Sequence, residues 1–207
     1  MRKIVMQMMT ALDGRIDKPY EWMDHVSEDH YQAIEGLYRR YDTELVGRTT
    51  YEEMVGYWPE ALRSGEGTQT NRAMAQRMHD NEKLVFSRSG AKGLSAWHNV
   101  RQVVVADDDA VVGLVIDLKS RAGKDIHLAG GAGLVQTLVR LGLVDEYRLF
   151  VYPTLAQGEA WFGAVRETRP LTLIDVKRFE DGVVGLGYLA QGTSIGHRPE
   201  RFTEMLD

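Results

Sequence analysis

Asp125-Ile126-His127-Leu128-Ala129-Gly130-Gly131-Ala132-Gly133-Leu134 is a short apolar run that ends in a glycine cluster and passes directly into a helical pattern. Ile126 and Leu128 form the core of a brief buried strand, after which Leu134, Val135, Leu138 and Val139 recur at helical spacing. The order is strand, tight turn, helix, so the turn lies at the strand's carboxyl end. Glycines there omit the Cβ that would hold a ligand's phosphate or ring away from the backbone, and the first amides of the helix point outward unpaired. An anion is favoured at such a place. The cluster falls short of a full G-x-G-x-x-G fingerprint, because Gln136 stands where the last glycine would fall, and such a fingerprint ordinarily opens its domain. Two readings are open here: a phosphate cradle, or glycines that only let a helix pack closely on a sheet.

The rest of the chain repeats the pattern. Ile4, Val5, Met6, Met8 and Met9 are a nearly continuous apolar run, the mark of a strand buried on both faces. It leads into Thr10-Ala11-Leu12-Asp13-Gly14-Arg15-Ile16, which places a carboxylate and a turn glycine just past the end of a central strand. Ser27 is a natural N-cap for a helix carrying Ala33, Ile34, Leu37, Tyr38 and Tyr41, with Glu28 and Asp29 as candidate proton donors or as solvated first-turn acids. Trp22 is either core filler or a ligand-facing wall. Glu44 to Met54 is a second strand, turn and helix, broken at Gly47, with Thr49 or Thr50 able to cap the helix. Arg48 adds a guanidinium, which pairs bidentately with phosphate oxygens; Arg48 on the plain surface is the competing reading. Pro59 to Thr70 reads as a loop, followed by a helix over 71–78. Lys83 to Ser89 is a third strand that ends in Ser87-Arg88-Ser89, and 100–105 is a fourth. Asp107-Asp108-Asp109 cap a helix to about Arg121. Asp145 to Tyr152 is a further strand, and Glu180-Asp181-Gly182 turns a hairpin between 171–179 and 183–190. The expected architecture is α/β, with a mixed, mainly parallel sheet and an antiparallel C-terminal hairpin. A single domain over 1–191 and a polar tail over 192–207, with room for a short helix, complete it.

The 207 residues suffice for one sizeable core. A net charge of −5 with scattered Lys and Arg offers no footprint for nucleic acid or an anionic membrane. The absence of cysteine removes disulfides, thiolate metal sites and a zinc deaminase signature. The six histidines show no metal-ligand spacing, so no metal is expected. No apolar stretch is long enough to span a bilayer and no cleavage signal follows the start, so a cytoplasmic protein is expected.

Five segments, in this order and spacing, resemble the dihydrofolate reductase-like superfamily, and more closely the reductase domain of bacterial riboflavin biosynthesis in a stand-alone form. They are 10–16, 46–52, 85–89, 129–134, and Leu143-Val144-Asp145-Glu146 leading to Tyr152-Pro153. The resemblance implies a three-layer α/β/α fold and an NADPH-dependent oxidoreductase acting on a small pyrimidine- or pterin-like heterocycle, similar to 5-amino-6-(5-phosphoribosylamino)uracil reductase. It places Gly47, Arg48, Thr49 and Thr50 on the cofactor's phosphates and Ser87, Arg88 and Ser89 near the adenosine 2′-phosphate. Gly130, Gly131, Ala132, Gly133 and Leu134 would line the pyrophosphate and nicotinamide ribose, and Met9 and Ile16 would lie beside the nicotinamide. Asp13 would stand close to the substrate mouth, with Trp22 and Tyr152 on the substrate side. A homodimer is also implied, to which the hairpin over 171–190 could contribute. Ala156-Gln157-Gly158-Glu159-Ala160-Trp161-Phe162 departs from the glycine-rich stretch common in that family and sets larger, charged residues beside the pocket. A non-catalytic nucleotide-binding or regulatory module on the same fold is the alternative function.

Overall fold

The computed structural model describes residues 1–207 except 17, 24, 89–93, 159, 161, 162, 164, 166, 194–199, 206 and 207. Eight strands form one sheet: β1 (Ile4–Ala11), β2 (Tyr41–Gly47), β3 (Glu82–Ser87), β4 (Val100–Val104), β5 (Asp125–Gly130), β6 (Glu146–Tyr152), β7 (Leu171–Arg178) and β8 (Val184–Ala190). Among the described residues, five α-helices accompany them: α1 (Glu28–Tyr38), α2 (Arg48–Ser64), α3 (Gln69–Asp80), α4 (Asp108–Ser120) and α5 (Ala132–Arg140). The spatial order is β4-β3-β2-β5-β1-β6-β8-β7. The pairs from β4 through to β6 are parallel, and β6-β8 and β8-β7 are antiparallel. The fold is therefore three-layer α/β/α with a mixed, mainly parallel sheet closed by a C-terminal hairpin.

Side chains alternate across the strands, which divides the core in two. Ile4, Met6, Leu84, Ile126 and Leu128 face α4 and α5. Val5, Val46, Val85 and Phe150 face α1, α2 and α3. β5 lies between β1 and β2 although it follows both in sequence, so the order reverses in the middle of the sheet. In open α/β sheets a crevice forms at the strands' carboxyl ends where this happens.

Three sequence expectations need correction. Tyr41 opens β2 instead of ending α1: the helix stops at Tyr38, and the Tyr41 ring then stacks on His127 at 4.9 Å, a partner that exists only because β5 pairs with β2. The segment 59–64 is helix, not loop. Pro59 removes one backbone donor, but Val55 and Trp58 pack on the core and hold α2 in place until Gly65 ends it with φ +63°. Thr49 and Thr50 do not cap α2, because Gly47 is its N-cap and both threonines lie within the first turn. Within the expected tail, residues 202–205 form a 3-10 turn whose Phe202 and Met205 are buried. Gly36 admits this turn, since a Cβ there would lie 2.5 Å from that of Met205.

At the opposite, amino end of the strands, buried charges are paired. Arg40 donates to both oxygens of Glu146, at 2.8 and 3.0 Å, and Arg148 donates to Glu146 at 2.7 Å. Burial pushes the Glu146 carboxyl up, but the two guanidiniums outweigh it and hold the group at about 2.

Candidate functional site

Three parallel strands deliver their carboxyl ends to one cleft of about 990 Å³, within the range of roughly 300–1,000 Å³ usual for small-molecule sites. β2 contributes Gly47, Arg48, Thr49 and Thr50, and β3 contributes Ser87 and Arg88. The turn after β5 contributes Gly130, Gly131, Ala132, Gly133 and Leu134, while Met9 and Ile16 reach the cleft from β1 and the turn beyond it. Ser89 lies outside the described residues. Both arginines are exposed in the cleft wall, and Asp107 and Asp108 line it on the α4 side. Asp108 is engaged by the Arg140 guanidinium at 2.7 and 2.8 Å; that bond, aided by the more distant Arg88 charge, lowers its carboxyl.

The two readings of the glycines separate here residue by residue. Gly131 has φ +90°, and a Cβ on it would stand 3.1 Å from Gly47 Cα and 3.2 Å from Gly47 N. Close approach of the two turns therefore requires glycine at 131. At Gly133 a Cβ would meet nothing within 4 Å. Packing does not demand glycine there, whereas a ligand lying against the first turn of α5 would. The Leu134 amide turns back to Gly131 O at 2.9 Å, whereas those of Ala132 and Gly133, the first two positions of α5, have no intrahelical acceptor, which suits a phosphate, so the donor set fits a dinucleotide.

Of the proposed proton donors, Glu28 and Asp29 do not line the cleft. Glu28 accepts from Thr70 Oγ1 at 2.6 Å and Gln32 Nε2 at 3.2 Å, tying α1 to α3. Asp29 accepts from Ser27 Oγ, the Glu180 amide and Lys177 Nζ. Burial raises its carboxyl, yet these bonds together hold it below its ordinary value, so it remains an ionised strut between α1 and the hairpin. Asp13 sits on the turn after β1, with Arg15 Nε at 3.8 Å and the Ala156 amide at 3.5 Å.

Trp22 and Tyr152 meet edge to face at 5.4 Å and line a second cavity of about 650 Å³ with His25, Ala156, Gln157 and Asp181. Glu159, Trp161 and Phe162 lie outside the described residues. Behind this cavity His30 is buried, with Nδ1 2.8 Å from Asp181 Oδ2; burial lowers its imidazole despite that carboxylate. Among the described residues no three His, Asp or Glu side chains cluster to hold a metal ion, and no helix is long and apolar enough to cross a membrane.

Residues the sequence reading did not single out also line the main cleft: Gln7, Tyr38, Glu53 and His127. The available signal was polarity, since Gln7 and His127 interrupt apolar runs on two central strands.

The sequence matches the profile of the RibD C-terminal domain over residues 2–184. It is 29% identical to YyaP of Bacillus subtilis (strain 168), an uncharacterized protein, over 90% of this chain and 94% of that one. Among solved structures, the Thermotoga maritima diaminohydroxyphosphoribosylaminopyrimidine deaminase/5-amino-6-(5-phosphoribosylamino)uracil reductase superposes with a TM-score of 0.64 at 15% identity, covering 91% of this chain and 56% of that one. Enterococcus faecalis dihydrofolate reductase, complexed with NADP(H), superposes with a TM-score of 0.54 at 12% identity, covering 91% and 96%. With three strand ends converging on one cleft, and a profile match over nearly its whole length, the chain belongs to the RibD C-terminal domain family.

Proposed function

We propose that the protein is an NADPH-dependent reductase that delivers hydride to a C=N or C=O carbon of a small pyrimidine- or pterin-like heterocycle, in a reaction similar to reduction of 5-amino-6-(5-phosphoribosylamino)uracil. One observation carries the reading: Gly47 to Thr50, Ser87-Arg88 and Gly130 to Leu134 line a single cleft at the carboxyl edge of the sheet. NADPH, when bound, supplies the hydride from its nicotinamide ring.

The chain's own residues do the holding. Thr49, Thr50 and the amides of the β5 turn take the phosphates, and Arg48 or Arg88 reads the 2′-phosphate. Met9 and Ile16 provide an apolar wall for the nicotinamide. Fixing donor and acceptor carbons in near contact removes up to roughly 7–11 kcal/mol of barrier. The proton comes from Asp13 or a water it holds; Glu28 and Asp29 take no part, since their carboxylates are bound elsewhere. A cytoplasmic homodimer is part of the same reading, supported by Leu171, Leu173 and Val176 exposed on the outermost strand, β7.

A nucleotide-binding module without chemistry is favoured by one fact: none of the three candidate carboxylates lines the cleft. Parallel titration with NADPH and NADH, followed by Trp fluorescence, tests the site. Preference for NADPH with turnover on a heterocycle supports the reductase, and preference without turnover on a broad panel supports the module. Binding of neither cofactor removes both.

A further inference from the structure

The cleft continues past the glycine turns. On the α1 side of the sheet it reaches Gln7, Ala129 and His127, with Tyr38 and Glu53 from the helices above. Val5 pairs with His127 in register, so Gln7 stands one pleat further up β1 on the same face.

Two polar atoms of this inner arm are buried without a partner: Gln7 Oε1 and His127 Nε2. Gln7 is 7% exposed and His127 2%. The imidazole is fixed from behind. Its Nδ1 lies 2.5 Å from Glu44 Oε2, and Glu44 Oε1 accepts from Asn81 Nδ2 at 2.8 Å. A carboxylate only accepts, so Nδ1 carries the hydrogen, and in the neutral form of an imidazole held this way Nε2 is the acceptor. Tyr41 stacked on the ring and Tyr38 against its edge hold this orientation. The arm therefore presents two buried acceptors that the fold leaves unpaired, Gln7 Oε1 and His127 Nε2. Native proteins rarely leave such buried groups unpaired, and each one calls for an explanation.

Glu44 behind His127 places a carboxylate beside this arm, so a neutral group rich in N–H is favoured there over an anion.

We infer that this inner arm seats the N–H edge of a planar amino- or amide-substituted heterocycle, whose hydrogens are accepted by Gln7 Oε1 and His127 Nε2. Gln7 and the Glu44-oriented His127 are then specificity-determining residues for the acceptor. The inference rests on the reductase reading for the identity of that heterocycle as the hydride acceptor.

The test uses 2,4-diaminopyrimidine and 2,4-dimethoxypyrimidine, rings of similar shape with and without N–H donors, titrated against the full chain with and without NADP⁺. The diamino ring is expected to bind at least about tenfold more tightly, the equivalent of one good hydrogen bond. Gln7→Met, which keeps side-chain length, should weaken the diamino ring by about the same factor, leave NADPH affinity unchanged, and leave the unliganded melting temperature equal or higher, because an unpaired buried amide is removed. Equal affinity for the two rings, binding of neither, or a Gln7→Met protein that melts lower with unaltered affinity overturns the inference. The wild-type comparison of the two rings decides the matter even if the variant fails to fold. Gln7-dependent binding of the diamino ring in a protein that does not bind NADPH would instead refute the reductase reading and leave the arm standing.

Discussion

Replacing Gly131 by alanine, with Gly133→Ala beside it, separates what the fold requires from what a ligand requires. At Gly131 the backbone sits at φ +90° and ψ +104°, where an L side chain is strained by roughly 1–2 kcal/mol. The new methyl would also stand 3.1 and 3.2 Å from Gly47 backbone atoms, which yield only if the turn between β2 and α2 moves. Overpacking of this kind costs about 1–3 kcal/mol, while loss of glycine's freedom in the unfolded chain returns about 0.4–1 kcal/mol. A net loss of about 2 kcal/mol is expected, which for a chain of this size lowers the melting temperature by roughly 4–8 °C. NADPH affinity should fall with it, because the two turns proposed to hold its phosphates are forced apart. Gly133 lies in the first turn of α5 with open space around its missing Cβ, so Gly133→Ala should stabilise by about 0.5–1 kcal/mol and yet weaken NADPH, since the methyl enters the cleft. Thermal unfolding and NADPH titration of both variants give the answer. A Gly131→Ala protein that melts at or above the wild type would refute the close approach of the turns, and a Gly133→Ala protein with unchanged NADPH affinity would refute the passage of a ligand over α5.

Other expectations follow from the same geometry. Arg48→Ala should remove most of a preference for NADPH over NADH of about ten- to a hundredfold, the worth of one charge-assisted bond to the 2′-phosphate; survival of the preference in parallel titrations would assign that role to Arg88. The Glu146 carboxyl, held at about 2 against an ordinary 4.5, contributes stability that is complete above pH 4.5 and lost as pH falls toward 2, about 3 kcal/mol in all. Urea unfolding at stepped pH should show that loss in the wild type and a shallower decline in Glu146→Gln, and equal slopes would count against it. Light scattering at micromolar concentration should report a dimer that Leu173→Lys on β7 weakens; a monomeric wild type would remove the interface.

Much of the fold was legible because it is written in local periodicity. Strands β1, β2, β3 and β5 and helices α4 and α5 announce themselves by which of their residues are apolar, and the strand-glycine-helix order of 125–134 locates the cleft's floor. Where the reading failed, a distant partner overrode the local signal. Val55 and Trp58 carry a helix through Pro59 because they are packed, and Phe202 and Met205 are drawn from a polar terminal segment into the core beneath α1.

The candidate site divides along the same line. Gly47 to Thr50, Ser87-Arg88 and Gly130 to Leu134 are recognisable in the chain because each follows its own strand within a few residues, and a parallel sheet brings like ends together. The sequence by itself thus determined the α/β class, the alternation of buried faces and which strand ends carry glycines, hydroxyls and arginines. Only the tertiary structure decided that Glu28 and Asp29 serve as struts, that Gly131 is required by Gly47 while Gly133 is not, and that Gln7 and His127 share one buried arm. The physical reason is that the sequence encodes which side a residue faces, whereas what stands opposite depends on strand order, and β5 reaches its place between β1 and β2 only when the sheet closes.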